Sequence, residues 1–119
     1  RMLIQYALTY PNRWTSDVPR LDLFSTKQLT VEEPDLQRFP NLRLAYEAMA
    51  KGGNMPCVLN AANEVVNLAF REGKCGFLQM SDVIAQTMTK ANFIDQPTYE
   101  DYVDTDVEAR KIAKELLNL

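Results

Sequence analysis

Apolar residues recur with helical spacing over the second half of the chain. The clearest segment runs from Pro56 to Gly73, and its apolar side chains return every three or four positions, which is the period of one helix face. We expect this segment to be the central helix of a bundle. Its stripe consists of Val58, Leu59, Ala62, Val65, Val66, Ala69 and Phe70.

Three further helices are predicted around it. One covers 41–51, and another covers 81–92 with Ser81 as its N-cap. A short helical turn over 97–102 leads to a capping box over 105–108 that begins the last helix. The count is four principal helices, and their short connections favour a mostly antiparallel bundle.

The first forty residues follow a different pattern. An opening apolar helix is ended by Pro11, and prolines then recur as far as Pro40. Between them only two short segments, 21–24 and 29–31, resemble strands. This stretch is either a flexible linker or an ordered arm that lies against another surface.

Aromatic side chains in this stretch favour the ordered arm. Trp14, Phe24 and Phe39 are large apolar groups whose exposure to water is unfavourable. The surface that covers them could belong to another domain.

The predicted fold is mainly α and has two parts. Residues 1–40 form an opening helix and an extended proline-containing arm with at most short strands, and residues 41–119 form a helical bundle of about four helices. The chain begins at Arg1 inside an apolar helical pattern without an N-cap. We therefore expect a domain cut from a longer polypeptide.

Composition narrows the possible chemistry. The chain has no histidine, which removes the commonest general base and the commonest metal ligand. Its net charge of -3 comes with no basic stripe, so nucleic acid is not an expected partner.

No apolar run reaches the roughly 20 residues that span a bilayer and no leader is evident, so we expect a cytoplasmic protein without a membrane partner. Cys57 and Cys75 lack CxxC spacing and are expected to be buried free thiols.

No motif indicates a catalytic residue, a cofactor-binding residue or a metal ligand. The densest acidic cluster lacks the glycine that a calcium loop requires, so helix capping is the favoured role. Neither a GxGxxG nor a GxxxxGK[ST] sequence is present. The acidic cluster consists of Asp101, Asp104, Asp106 and Glu108.

A polar face on the central helix is the candidate site. Asn60, Asn63, Glu64 and Asn67 fall opposite the apolar stripe. Asparagine is a poor helix former, and an ordinary solvated face would carry more Lys, Glu, Gln or Arg. The face is a tolerated solvent surface, a polar contact surface with a neighbouring domain or with backbone ends, or a ligand site, and the polar contact surface is favoured.

Several segments in a fixed order carry a family resemblance. The chain resembles the C-terminal portion of the 1-deoxy-D-xylulose 5-phosphate reductoisomerases as far as Arg110. The segments are Tyr6–Arg13, Leu21–Leu23, Leu29–Val31, Pro34–Asp35, Arg38–Pro40, Leu42–Ala45 and Leu59–Val65.

The resemblance implies the last domain of a three-domain enzyme of isoprenoid biosynthesis. Such an enzyme rearranges its sugar phosphate and reduces the product with NADPH, using magnesium or manganese. It is a homodimer whose NADPH-binding and catalytic domains would be the partners of this chain. Residues 1–40 would belong to the junction with the catalytic domain, and the chain alone would be inactive. The alternatives are a free-standing helical interaction module and, less favoured, a small carboxylate-based hydrolase.

Overall fold

The structure, a computed structural model, describes residues 2–17 and 19–119. Arg1 and Val18 lie outside the described residues, and the predicted beginning of the opening helix at Arg1 lies there too. The chain divides into two compact units, Arg1–Glu33 and Pro34–Leu119.

Six helices occupy the described residues. They are α1 (Met2–Thr9), α2 (Leu23–Thr26), α3 (Pro40–Lys51), α4 (Met55–Arg71), α5 (Phe77–Lys90) and α6 (Tyr99–Leu117). No strand forms over these residues, so the mainly α fold with four principal helices after residue 40 is confirmed. None of these helices is both long enough and apolar enough to cross a membrane.

The apolar stripe makes α4 the central helix of the second unit, where it packs against α3, α5 and α6. Val66 of α4 lies in one buried cluster with Leu44 of α3 and Ile84 of α5. Full burial of an aliphatic side chain of this size contributes about 1.5–3 kcal/mol. The core positions of α6 include Ala109 and Ala113, both completely buried, and small side chains allow a close approach between helices.

Neither strand predicted in the arm forms. In the first segment, 21–24, the carboxylate of Asp22 accepts a hydrogen bond from the N–H of Phe24 at 2.9 Å and caps α2. The second segment, 29–31, has no regular structure, and the described residues offer no neighbouring strand for it to pair with. Local capping therefore outweighs strand propensity in this part of the chain.

The predicted N-cap of α5 at Ser81 is wrong. The helix begins at Phe77, directly after Gly76. The side chain of Gln79 accepts a hydrogen bond from the N–H of Gly76 at 3.2 Å and satisfies one of the free amides of the helix N-terminus. Ser81 therefore lies within the helix.

The segment after Pro97 forms one helix rather than two. Thr98 is the N-cap of α6, because its hydroxyl accepts from the N–H of Asp101 at 3.2 Å. In return the carboxylate of Asp101 accepts from the N–H of Thr98 at 2.8 Å. The hydroxyl of Thr98 also donates to this carboxylate at 2.8 Å. The hydrogen bonds that the carboxylate accepts from the N–H and from the hydroxyl of Thr98 lower the pKa of Asp101. The predicted capping box at Thr105 is wrong, since Thr105 lies buried inside α6.

Asn54, at the N-terminus of α4, has a fully buried side chain that holds the connection between α5 and α6. Its Nδ2 donates to the carbonyl oxygen of Asn92 at 2.8 Å and to the hydroxyl of Thr105 at 3.0 Å. Its Oδ1 accepts from the N–H of Ile94 at 3.0 Å. The backbone N–H of Asn54 also donates to the carbonyl oxygen of Ile94 at 3.0 Å. Asn54 thus joins α4 both to the connection between α5 and α6 and to α6 itself.

Gly53 allows this close approach. Its φ of +55° lies in the left-handed region, and a Cβ placed there would overlap the carbonyl oxygen of Ile94 and lie 2.9 Å from Cε2 of Phe93. Gly73 has a similar φ of +71°, but a Cβ there would meet nothing within 4 Å. The two glycines share a conformation and differ in their surroundings.

Gly53→Ala should lower the free energy of unfolding much more than Gly73→Ala. Both changes place a side chain in the left-handed region, which costs about 1–2 kcal/mol, and only the change at Gly53 adds an overlap with backbone atoms. We expect a total loss of about 3 kcal/mol at Gly53. Urea unfolding followed by circular dichroism measures both, and equal losses would contradict the proposed steric role.

Asn54→Ala should destabilise the chain by about 3 kcal/mol, because several buried polar groups lose their partner. Asn60→Ala is the matched control, since Asn60 lies on the same helix with an exposed side chain. We expect its effect to stay within about 0.5 kcal/mol. Similar urea midpoints for the two variants would show that the buried amide is dispensable.

Candidate functional site

The asparagines of α4 lie on the side of the helix away from the core. Asn60 and Asn67 are exposed, and Asn63 is half-buried. Among the described residues none of these three amides makes a hydrogen bond. Their donors and acceptors are therefore available to another surface.

Glu64, on the same face, is engaged with α6. Its Oε2 lies 2.5 Å from Nη2 of Arg110, and Nε of that guanidinium lies 2.7 Å from Oδ2 of Asp106. The hydrogen bonds to Asp106 and then to Glu64 raise the pKa of Arg110 above its usual value. Because all three side chains are partly exposed, each pair contributes only about 0.2–1 kcal/mol. The network fixes the orientation of this face more than it stabilises the fold.

Two members of the acidic cluster on α6 have local partners. Asp101 caps the helix, in agreement with the predicted capping role but at a different cap, and Asp106 binds Arg110. No group of three or more His, Cys, Asp or Glu side chains within residues 2–17 and 19–119 is arranged to hold a metal ion.

Both cysteines are free thiols as predicted, but they are half-buried where the prediction was buried. Burial, and then the negative charge of Asp106, raise the pKa of Cys57, while Arg110 opposes this. The Sγ of Cys57 lies 3.6 Å from the carbonyl oxygen of Tyr102. A raised pKa keeps a thiol protonated near neutral pH, and a protonated thiol is a weak nucleophile.

The first unit exposes its apolar side chains. None of residues 2–17 and 19–33 is buried, and Phe24 and Val31 are 93% and 90% exposed. The unit therefore has no hydrophobic core among its described residues, and exposed apolar surface of this extent is typical of a contact site. The other exposed large apolar side chains are Met2, Leu3, Ile4, Leu8, Tyr10, Trp14, Leu21, Leu23 and Leu29.

A cleft of about 730 Å³ lies in the first unit, lined by residues of α1 and of the segment after it. Nε2 of Gln5 donates to the carbonyl oxygen of Thr15 at 3.1 Å, which ties the segment to α1. The guanidinium carbon of Arg13 lies 4.4 Å from the ring centroid of Tyr6. The cleft thus combines aromatic, apolar and cationic groups.

Comparison with known proteins identifies the family. A family model described as the DXP reductoisomerase C-terminal domain matches residues 1–112. The chain belongs to this family. The family resemblance that the ordered motifs indicate is therefore confirmed.

Individual reductoisomerases are similar along almost the whole chain. The 1-deoxy-D-xylulose 5-phosphate reductoisomerase of Phocaeicola vulgatus is 58% identical over 118 residues, which are 99% of this chain and 31% of that protein. The enzyme of the same name from Bacteroides fragilis is 56% identical over 117 residues, 98% of this chain and 30% of that protein. The chain therefore spans about a third of the length of these relatives.

A solved structure shares the fold. The reductoisomerase from Zymomonas mobilis, in complex with NADPH, superimposes with a TM-score of 0.86 at 35% identity. The match covers 99% of this chain and 31% of that structure. The fold described above is therefore that of a reductoisomerase C-terminal domain.

Sequence reasoning missed several residues of this reductoisomerase domain. Asp106 and Arg110 are four positions apart on one helix, and this spacing is enough to predict the ion pair between them, which is one of the two pairs of the ionic network. The pairing of Arg110 with Glu64, 46 residues away, has no local signal. Asn54 was missed because its partners at Asn92 and Thr105 are brought close only by the fold.

Proposed function

We propose that this chain is the C-terminal structural domain of an NADPH-dependent reductoisomerase, and that it braces the other domains of the same polypeptide. The enzyme would convert 1-deoxy-D-xylulose 5-phosphate to 2-C-methyl-D-erythritol 4-phosphate in isoprenoid biosynthesis. We further propose that residues 1–40 form the junction with the catalytic domain and that residues 41–119 form the bracing bundle. The whole enzyme would be a cytoplasmic homodimer.

The exposed apolar surface of the first unit carries this proposal. Side chains such as Phe24 and Val31 are almost fully exposed in this chain. Burying each against a neighbouring domain would contribute about 1.5–3 kcal/mol. The chain spans 31% of the length of the first relative described, so the remaining 69% of that relative (100% minus 31%) could supply the neighbour. The free-standing interaction module is not favoured, because the family match covers residues 1–112.

The chemistry of the enzyme is assigned to the other domains. The chain has no histidine, and its described residues contain no cluster suited to magnesium or manganese. They therefore do not fit the metal that the family implies, and we derive no reaction step from them. NADPH is bound in the Zymomonas mobilis complex, and we place its site in the other domains of the proposed enzyme.

The polar face of α4 is the second proposed contact. Asn60, Asn63 and Asn67 offer amides without partners among the described residues, and Glu64 is held in place by Arg110. We propose that this face meets a polar surface of a neighbouring domain.

The isolated chain should not oxidise NADPH in the presence of the sugar phosphate, whereas a chimera should. In the chimera this chain replaces the 118 matching residues of the Phocaeicola vulgatus enzyme. The loss of absorbance at 340 nm measures turnover in both. Turnover by the isolated chain would overturn the assignment of chemistry to the other domains. A folded chimera without turnover would contradict the bracing role.

Asn63→Lys in the chimera should lower turnover and the melting temperature, because a bulky charge would replace a half-buried amide in the proposed contact. Gln86→Lys adds the same charge at an exposed position of α5 and is the control. Both variants are also melted in the isolated chain, so that a loss confined to the chimera reports on domain contact. Unchanged turnover and melting for Asn63→Lys would argue strongly against this face.

A further inference from the structure

The cleft in the first unit carries two cationic side chains and no acidic one. Arg13 and Arg20 both line it, and its described lining contains no Asp or Glu. Neither guanidinium forms an ion pair within the part of the chain that the structure describes, where all ion pairs lie between residues 43 and 115. The described residues of this chain therefore do not neutralise the positive charge of the cleft.

Hydrogen bonds fix the shape of one wall. Gln5 of α1 donates through Nε2 to the carbonyl oxygens of Thr15 at 3.1 Å and Trp14 at 3.4 Å. The hydroxyl of Thr9 is 2.8 Å from the carbonyl oxygen of Asn12 and 3.1 Å from that of Gln5. The bond between Thr9 and Gln5 lies within α1, and the other three fasten residues 12–15 to this helix.

Arg13 is held in place by an aromatic ring. Its guanidinium carbon stands 4.4 Å from the ring centroid of Tyr6. A guanidinium that lies over a ring keeps the N–H groups that point away from the ring available, and their planar arrangement matches a carboxylate. Arg13 is consequently preorganised to bind an anion.

The remaining lining is apolar and exposed. Trp14 and Leu21 line the same cleft and are 69% and 74% exposed. A small hydrophilic anion would leave these side chains in water, whereas a peptide segment with both a carboxylate and apolar side chains would cover them. A volume of about 730 Å³ can hold several side chains of such a segment.

We propose that this cleft is the docking site for an acidic and apolar segment from the rest of the same polypeptide. The inference rests on the proposed function, since the rest of the reductoisomerase would supply the segment. An Asp or Glu of the segment binds Arg13 or Arg20, and its apolar neighbours pack on Trp14 and Leu21. Covalent linkage favours the same polypeptide over a second copy, because tethering raises the effective concentration of the segment to about the millimolar range.

Charge substitution in the chimera tests the arginines. Hydrogen exchange of the backbone amides of residues 2–33 reports how often the unit separates from its neighbour. The double variant Arg13→Gln and Arg20→Gln should raise exchange by about ten-fold or more, the effect of losing an interfacial charge pair. Arg71→Gln, at an exposed position without an ion pair among the described residues, is the control. Equal exchange in the double variant and the control would overturn the proposal.

A charge-conserving variant separates recognition from folding. Arg13→Lys with Arg20→Lys keeps both positive charges but loses the planar guanidinium over Tyr6, so it should retain only part of the protection that the glutamine variant loses. Wild-type exchange should also rise with added salt, since exposed charge pairs are screened. Equal loss of protection in the lysine and glutamine variants, without salt dependence in the wild type, would contradict recognition by charge.

A photo-cross-link identifies the occupant. The chimera carries p-benzoylphenylalanine in place of Trp14, and a mixture of ¹⁴N- and ¹⁵N-labelled protein distinguishes links within one polypeptide from links between copies. We expect a link within the polypeptide to a stretch that carries Asp or Glu outside the 119 residues. A link only to a second copy, a link to a stretch without acidic residues or no link at all would overturn the proposal. The link is read independently of turnover, so an inactive chimera would refute the proposed function without deciding the identity of the occupant.

Discussion

The buried amide of Asn54 is the contact on which the geometry of the bundle depends. A core of valine, leucine and alanine side chains brings helices together but leaves their relative placement loosely defined, because apolar contact is non-directional. Hydrogen bonds have defined directions, and those of Asn54 to Ile94, Asn92 and Thr105 fix one end of α4 against α6. The ionic contact between Glu64 and Arg110 lies further along the same two helices. The orientation of the polar face of α4 therefore depends on the buried amide of Asn54 as well as on the partly exposed ionic network.

The two units of the chain differ in what holds them together. The second unit has its own core, built around Val66 and completed by the alanines of α6. The first unit has hydrogen bonds and an arginine stacked on Tyr6, but none of its described side chains is buried. Without buried apolar surface, local hydrogen bonds do little to offset the entropy that is lost on ordering a chain. The first unit is thus the part whose order depends most on a neighbour.

Periodic patterns made the helices of the bundle predictable. The helix caps and the contacts between residues far apart in the sequence were not predictable from such patterns. The stripe from Val58 to Ala69 identified α4, because burial of one helix face leaves a repeating signal in the sequence. Ser81 and Thr105 were mistaken for caps because the same side chains are tolerated inside helices. In the arm, residues 23–26 form the helix α2 instead of the predicted strand, because the carboxylate of Asp22 caps this helix through a single local hydrogen bond. The cleft was not foreseen, since contacts such as that from Gln5 to the backbone of Thr15 leave no sequence pattern.

The polar groups in the interior of the bundle are hydrogen-bonded within the bundle itself, which has a consequence for recombination between related genes. Among the described residues, no buried side-chain nitrogen or oxygen lacks a partner, and Asn54 finds all of its partners within Pro34–Leu119. A crossover placed before this unit would therefore transfer a complete interior and separate no interacting buried pair. The proteins encoded by such recombinant genes would contain a bundle that folds as it did in the original protein. Selection would then act mainly on the outer surface, where a new host polypeptide meets it.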